Sequence, residues 1–484
     1  MIITTLLGVS LVSAGLLALV GDRRMAPDLN ILASLVSFVI SVYLAFDVYS
    51  SGTAGTSLVG DYFFIDAFNV YLVVLTTFVS TTTAVFSRNY MKFERGHGKV
   101  SGGRMRFYHA MYQLFIFAML LALLANNVGV LWISMELATL ATVLLVSLYR
   151  TPSSVEAAWK YFILCGVGIA LALFGTILLY FAAEKVVGSG VQGLLWTNLI
   201  KINAKLEPRI LALAFIFFMV GYGTKVGLVP LHSWLPDAHS EGPTPISAVL
   251  SGLLLNIALY ALVRCKVLVN LSMGGNWAGR IMMGFGLLSM IVASLSLFRQ
   301  RDIKRMFAYS SIEHMGIATF AFGLGGAMAT FGALLHMLMH SLTKSSIFFT
   351  AGYASQLSGT QNMVHIRGLI KANPLVGWGL IFGVMAIAGT PPFGLFASEF
   401  LILTASMKQI PALTPLVLFA LVVAFAALFR KLQPMVFGDP SPDRREINAS
   451  VLPIYLHMGL VLALGVFIPV FLQKWFLEAV EILK

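Results

Sequence analysis

The chain has 484 residues, 58% of them hydrophobic and only 11% charged, with a mean hydropathy of +0.89. Soluble domains carry about 25% charged residues, and a soluble fold of this length could not cover so much apolar side chain with polar surface. A secreted or cytosolic globular enzyme is therefore excluded, and the net charge of +12, spread through short loops, argues for membrane topology rather than a nucleic-acid partner.

A bilayer-spanning helix needs about 20 mostly apolar residues. Fourteen such runs occur, at about 2–20, 29–48, 63–86, 107–125, 127–149, 155–182, 209–229, 243–263, 278–298, 304–326, 328–356, 373–409, 411–436 and 451–475. They are too long for barrel strands, and lipid cannot satisfy exposed backbone groups, so an all-α integral membrane protein of about fourteen transmembrane helices is expected. The first run has its positive charges, Arg23 and Arg24, after the apolar stretch, unlike a cleaved signal peptide. The polar stretches Ser87–Arg106 and Gly438–Asn448 are too short to fold alone. VQGLLWTNLI, within Gly188–Glu207, suits a short interfacial helix.

An even number of spans puts both termini on one side. Nineteen Lys and Arg fall on loops facing away from the termini and ten on the terminal side. The positive-inside rule then places both termini on the non-cytoplasmic face of a cell inner membrane. Cys165 and Cys265 have no close ligand spacing, so no iron–sulfur or zinc site, and no cofactor of the chain's own, is expected.

Ionisable residues inside the spans are the informative ones, because charge in lipid is costly and usually functional. Glu136 lies in the fifth run, Lys225 in the seventh and Glu399 in the twelfth, while His336, His340 and Lys344 follow one another at i, i+4 steps in HMLMHSLTK. That spacing sets the three along one helix face, roughly 6 Å per step. Low dielectric favours the neutral form of Lys or Glu and a nearby opposite charge restores the charged form. Opening or closing a Glu136–Lys225 pair would thus load or release a proton, and a His/Lys row is a plausible relay. Metal binding at His336 and His340 is the competing reading, disfavoured by Lys344 and by the lack of a carboxylate nearby in sequence. Lys160, His232, Asp237, His239, Glu313 and His314 suit either a pathway or a structural role. Asp47 and Asp66, near span ends, read as interfacial.

The seventh run is broken by Gly221, Gly223, Gly227 and Pro230, and the twelfth by Pro391 and Pro392. Such breaks persist in membranes only where they are buried or line water, and paired interruptions point to an inverted-repeat transporter. The natural division is into two inverted five-helix repeats, spans 4–8 (107–270) and 9–13 (278–437), within a single polytopic domain.

KVGLVPLHSWLPDAHSEGPTPISAVLSG resembles the signature of the antiporter-like subunits of respiratory complex I and Mrp-type cation/proton antiporters. DIKRMFAYSSIEHMG and HMLMHSLTKSSIFFTAG are similar to that family's tenth and eleventh helices. NNVGVLWISMELATL, YRTPSSVEAAWKYFILCGVGIALALFGT and SSIEHMG look most like hydrogenase-4 component F and its relatives in formate hydrogenlyase-type membrane hydrogenases. The resemblance implies that Glu136 and Lys225 are the coupled pair, that His336, His340 and Lys344 form the central relay, and that Glu399 is the terminal residue. Asn256 stands where some members carry a lysine in the eighth helix. The resemblance also implies partners: other membrane subunits and a soluble redox arm holding nickel–iron and iron–sulfur centres, docked on basic loops that include Arg104 and Arg106. The expected function is proton translocation driven by redox chemistry elsewhere. The alternatives are a sodium/proton antiporter subunit and the membrane half of an energy-coupled inorganic-carbon uptake complex.

Overall fold

The computed structural model describes residues 1–51, 56–58, 61–440 and 445–484; Arg444, one of the nineteen basic loop residues, and part of Gly438–Asn448 lie outside the described residues. In chain order the helices are α1 Ile2–Val20, α2 Ala26–Ser51, α3 Ala67–Gly96, α4 Gly102–Leu124, α5 Val128–Val146, α6 Pro152–Val187 and α7 Trp196–Ile202. Next come α8 Pro208–Val226, α9 Trp234–Glu241, α10 Thr244–Val249, α11 Leu255–Met273, α12 Trp277–Leu297, α13 Ile303–Leu324 and α14 Gly326–Ser358. The last are α15 Leu369–Ala372, α16 Pro374–Ile387, α17 Gly394–Gln409, α18 Thr414–Phe437, α19 Leu452–Val466 and α20 Val470–Ile482. A two-stranded hairpin, β1 Thr56–Leu58 with β2 Phe63–Ile65, precedes α3.

Local chemistry sets these boundaries. Asp66, Ser101, Asn127, Thr151, Asp302 and Asn373 each cap a helix N-terminus with a side-chain oxygen, satisfying amides that have no partner within the helix. Pro152 and Pro374 stand at the first helical position, where the missing N–H costs nothing. Among the described residues, ten helices are individually long and apolar enough to cross a bilayer, or eleven if α19 and α20 form one bent span. Outside that count are α13, α14 and the interrupted pair α16–α17, which carry Glu313, Lys344 and Glu399.

Loop contacts fall into two sets that follow the alternation of crossings. On the side away from the termini, Arg106 pairs with Asp22 at 3.0 Å, Lys160 with Asp237 at 3.3 Å and Lys371 with Asp439 at 3.3 Å. The hydrogen bond from Arg106 holds the Asp22 carboxyl below its ordinary range. On the terminal side, the Asn126 amide donates to the Tyr62 carbonyl at 3.0 Å, and Trp196 to Asn126 at 2.6 Å.

Three stretches depart from the sequence reading. Ser87–Arg106 is mostly helix, because α3 runs on to Gly96 and α4 starts at Gly102. The eighth span is longer than 243–263: α10 passes through a π turn at Leu250–Leu254 into α11, which reaches Met273. The fourteenth is not one straight helix, since α19 and α20 meet at 80°; Pro469 cannot donate a backbone hydrogen bond and disfavours helix at the residue before it. The interfacial segment around VQGLLWTNLI holds a short 3₁₀ turn and α7, with Leu199 buried.

Helices α12 and α13 pack backbone to backbone. A β-carbon on Gly286 would stand 2.6 Å from the Phe320 nitrogen and 2.7 Å from the Gly316 oxygen. Gly286→Leu should therefore destabilise the protein by about 1–3 kcal/mol, the usual cost of overpacking. A thermal melt in detergent unchanged from wild type would contradict that contact.

Candidate functional site

The seventh span ends where Gly227, at φ +81°, terminates α8. The Thr224 carbonyl, which accepts from the Gly227 amide at 3.1 Å, also accepts from the Trp234 indole nitrogen at 2.9 Å, so α9 helps cap the break that it follows. Lys225, in the last turn of α8, is completely buried. Its ammonium donates to Thr139 Oγ1 and lies 5.5 Å from the centre of the Tyr161 ring. Glu136, one turn before Thr139 on α5, is half-buried, with Oε2 lacking a hydrogen-bond partner. No ion pair within 4 Å joins Glu136 to Lys225 among the described residues; a threonine hydroxyl stands at the lysine instead.

The second group is denser. The buried Lys344 ammonium donates to the Phe307 carbonyl of α13 at 2.9 Å. One turn back on α14, His340 is buried with neither ring nitrogen hydrogen-bonded, and its ring centre lies 5.7 Å from that of His314. His314 Nδ1 is 3.2 Å from His336 Nε2 and 3.9 Å from Glu399 Oε1. His336 Nδ1 is 3.0 Å from Ser398 Oγ. Glu313 is buried on α13, in the fields of Lys344 and Glu399. Three helices thus bring His314 and Glu399, which no sequence spacing connects to them, together with the i, i+4 pair His336 and His340. The break between α16 and α17 permits this. Gly389 has φ +63°, and a β-carbon there would collide with Glu399 Oε2, so glycine is required both by the turn and by the carboxylate.

Asn256 donates to Ser341 Oγ at 2.7 Å and to the Met337 carbonyl at 3.1 Å, fastening α11 to α14. The π turn before it places Ser251 2.7 Å from Ser311 of α13. π turns of this kind occur often at functional sites. Asp237 bonds both Lys160 and Arg305, joining α6, α9 and α13, so Lys160 is an ion-pair partner as well as a span-end residue. His232 is half-buried. His239 is fully buried against Phe348, with ring centres 5.0 Å apart and both nitrogens without partners.

Several residues have surroundings that the sequence does not announce. Asp66, read as interfacial, is completely buried and pairs with Arg264 at 2.6 Å. Four aromatic rings, those of Phe64, Phe68, Trp196 and Tyr260, surround the guanidinium at 5.0–5.5 Å. Lys304, counted with the exposed basic loops, is buried and donates to the Gly242 carbonyl at 2.7 Å. Glu94, only 1% exposed, pairs with Lys99 and accepts from Gln356. Position near a span end hid all of these. Arg104 bonds the carbonyls of Lys99, Leu148 and Tyr149. Charge reversal there would disturb the fold itself, so Arg104 and Arg106 are poor probes of docking.

The transmembrane model of the NADH:quinone oxidoreductase/Mrp antiporter family matches residues 125–427, an interval that holds every residue from Glu136 to Glu399. The chain belongs to this family. It is 50% identical over 469 residues to the hydrogenase-4 component F homolog of Methylacidiphilum infernorum, covering 97% of each chain. It also superposes on a chain of the membrane-bound sulfane sulfur reductase, described as an archaeal respiratory membrane complex, with a TM-score of 0.86 at 24% identity, over 99% of this chain and 96% of that one. A chain of the Mrp complex from Dietzia sp. DQ12-45-1b gives 0.85 at 19% identity, over 100% and 97%. At such identities these two likenesses are of fold. This member of the NADH:quinone oxidoreductase/Mrp antiporter family is a multi-pass, antiporter-like membrane subunit.

Proposed function

We propose that this chain moves protons across the membrane as one subunit of a hydrogenase-4-type or complex-I-like oxidoreductase. The observation that carries the reading is the buried row on α13, α14 and α17: Lys344, Glu313, His340, His314, His336 and Glu399. Proton transfer accounts for so many titratable groups held out of water on three adjoining helices, His314 being within 4 Å of both His336 and Glu399.

In this reading Lys225 is the switch. Its ammonium now sits on Thr139 Oγ1, and Glu136 is one helical turn away on the same helix. A disturbance arriving from a neighbouring subunit moves the lysine between the hydroxyl and the carboxylate, which changes its readiness to hold a proton. The proton then passes by way of Lys344 and the histidines to Glu399. Buried hydroxyls without protein partners, such as Ser310, Thr343 and Ser345, are the attachment points at which buried water characteristically binds. The two five-helix units, 107–270 and 278–437, supply one broken helix each. Nickel–iron and iron–sulfur centres belong to partner subunits, with the soluble arm on the basic face and both termini on the opposite, non-cytoplasmic face of the inner membrane.

Lys225→Ala should abolish proton movement while leaving part of the partner's electron transfer in place. An unchanged ratio of protons moved to electrons transferred in that variant would refute the assignment. Copurifying metal clusters separate this reading from a sodium/proton antiporter without redox partners.

A further inference from the structure

Two features of the sequence disfavour a metal ion here, Lys344 and the want of a nearby carboxylate, and the fold supplies the carboxylate. His314, His336 and Glu399, all buried and carried on α13, α14 and α17, each present one ligand atom, and these atoms lie within 4.8 Å of one another. We infer that they form a binding site for a single zinc-class divalent cation, with two imidazole nitrogens and one carboxylate oxygen as ligands.

The local geometry suits that ion. With Zn–N bonds of about 2.0–2.1 Å, neighbouring ligands of a tetrahedral centre stand roughly 3.3 Å apart. The two imidazole nitrogens are 3.2 Å apart as they stand. Glu399 Oε1, 3.9 Å from His314 Nδ1, needs to approach by roughly 0.6 Å to complete that edge. Two imidazoles and one glutamate make a donor set that zinc takes with a fourth position left open.

The hydrogen bond to Ser398 also fixes which nitrogen of His336 carries the lone pair. The Ser398 hydroxyl donates to the Leu395 carbonyl at 2.8 Å, so its oxygen accepts at 3.0 Å from His336 Nδ1. The ring hydrogen of neutral His336 is therefore on Nδ1, and Nε2 presents its lone pair to the site; with an ion bound, His314 carries its own ring hydrogen on Nε2, so that Nδ1, which without the ion donates to His336 Nε2 across 3.2 Å, becomes the second ligand. A histidine ligand whose other nitrogen is fixed by a polar neighbour is the usual arrangement around a protein metal. His340 is a second, independent pointer. It packs beside His314, is 1% exposed, and has neither ring nitrogen partnered, so it offers a buried acceptor to whatever occupies the open position. Lys344 is two turns of α14 beyond His336, and its ammonium is directed to the Phe307 carbonyl.

Binding would immobilise three members of the proposed proton row, making the ion an inhibitor of proton movement; this consequence, unlike the site itself, rests on the proposed function. The test uses the purified full-length chain in lipid nanodiscs, with Zn²⁺ binding measured by competition against a chromophoric chelator. One Zn²⁺ per chain is expected, with a first shell of nitrogen and oxygen at about 2.0–2.2 Å in X-ray absorption. Ser398→Ala should weaken binding by about 10–100-fold, the usual effect of removing an outer partner, and His336→Ala should weaken it further. His457→Ala, which alters a histidine bonded to Thr82 and the Leu342 carbonyl, should bind as wild type does. Absence of stoichiometric binding, or binding unaltered in both His336→Ala and Ser398→Ala, overturns the site; because the X-ray absorption is read on the wild-type chain, poor folding of a variant cannot rescue it. In proteoliposomes of the wild-type protein, Zn²⁺ should slow proton movement. Zinc bound at the site with proton movement unchanged overturns the inhibitory role and counts against the proton row, while leaving the site standing.

Discussion

Lys344→Met should stop proton movement while leaving the protein inserted and folded. The side chain is completely buried in the middle of the 33-residue α14, and its ammonium has one strong partner, the Phe307 carbonyl. Methionine matches the apolar stem and removes the only atom able to carry a proton. The expected loss is about 10²-fold or more, the size associated with deleting a positioned proton-transfer group. Lys344→Arg is the more discriminating variant. Guanidinium keeps the charge and the hydrogen bond, but does not give up its proton in a protein. A purely structural lysine would tolerate the exchange, whereas a proton carrier would not. The measurement is proton uptake by vesicles, normalised to electron transfer in the assembled complex. Lys344→Arg activity close to wild type would remove this lysine from the pathway.

The largest stability effect is expected at the other end of the molecule. Arg264→Met leaves Asp66 as a buried carboxylate without its counter-charge, and breaking one side of such a pair typically costs about 3–5 kcal/mol. The pair is held by charge and by ring faces, since the guanidinium has four aromatic neighbours and the 2.6 Å contact lacks an aligned hydrogen bond. Asp66 also caps α3, accepting from the Phe68 and Asn69 amides, so Asp66→Ala loses about 1 kcal/mol of capping besides. A double-mutant cycle separates the two parts. With both residues replaced, the unpaired charge is gone and only the cap and the packing remain lost. Thermal unfolding in detergent should show Arg264→Met melting well below the double variant's value corrected for the cap. Equal additive shifts would mean the pair contributes no coupling.

How far the sequence foretells this molecule depends on the range of the interaction. Apolar runs of about twenty residues foretell the helices, ten or eleven of which are long and apolar enough to cross a bilayer among the described residues, because lipid forces each one to satisfy its own backbone. The breaks at Gly227 and at Pro391-Pro392 are equally legible, being local chemistry. Contacts made across helices are not. Nothing in the spacing of His314, His336 and Glu399 announces that three helices bring their side chains together, and the carboxylate 63 residues beyond His336 looked too remote to matter. Asp66 and Lys304 looked exposed because they sit near span ends, yet the bundle closes over both. The π turn at Leu250–Leu254 has no compositional mark at all, since Leu-Ser-Gly-Leu-Leu reads as ordinary helix. Lys225 was correctly placed within its span, but its immediate neighbour, Thr139, is an unremarkable residue of α5.

The bare glycine seam between α12 and α13 bears on how this machine can move. Gly279 and Gly286 face Gly323 and Gly316 with no side chain between the two backbones. Helices in such contact have no soft layer to shear against, so α13 is a stationary rail. Glu313 and His314 ride on that rail. In the proposed proton row, the motion needed at these two residues then falls to rotation about their own side-chain bonds, or to the broken segments α9 and α16–α17, rather than to a slide of α13 past α12.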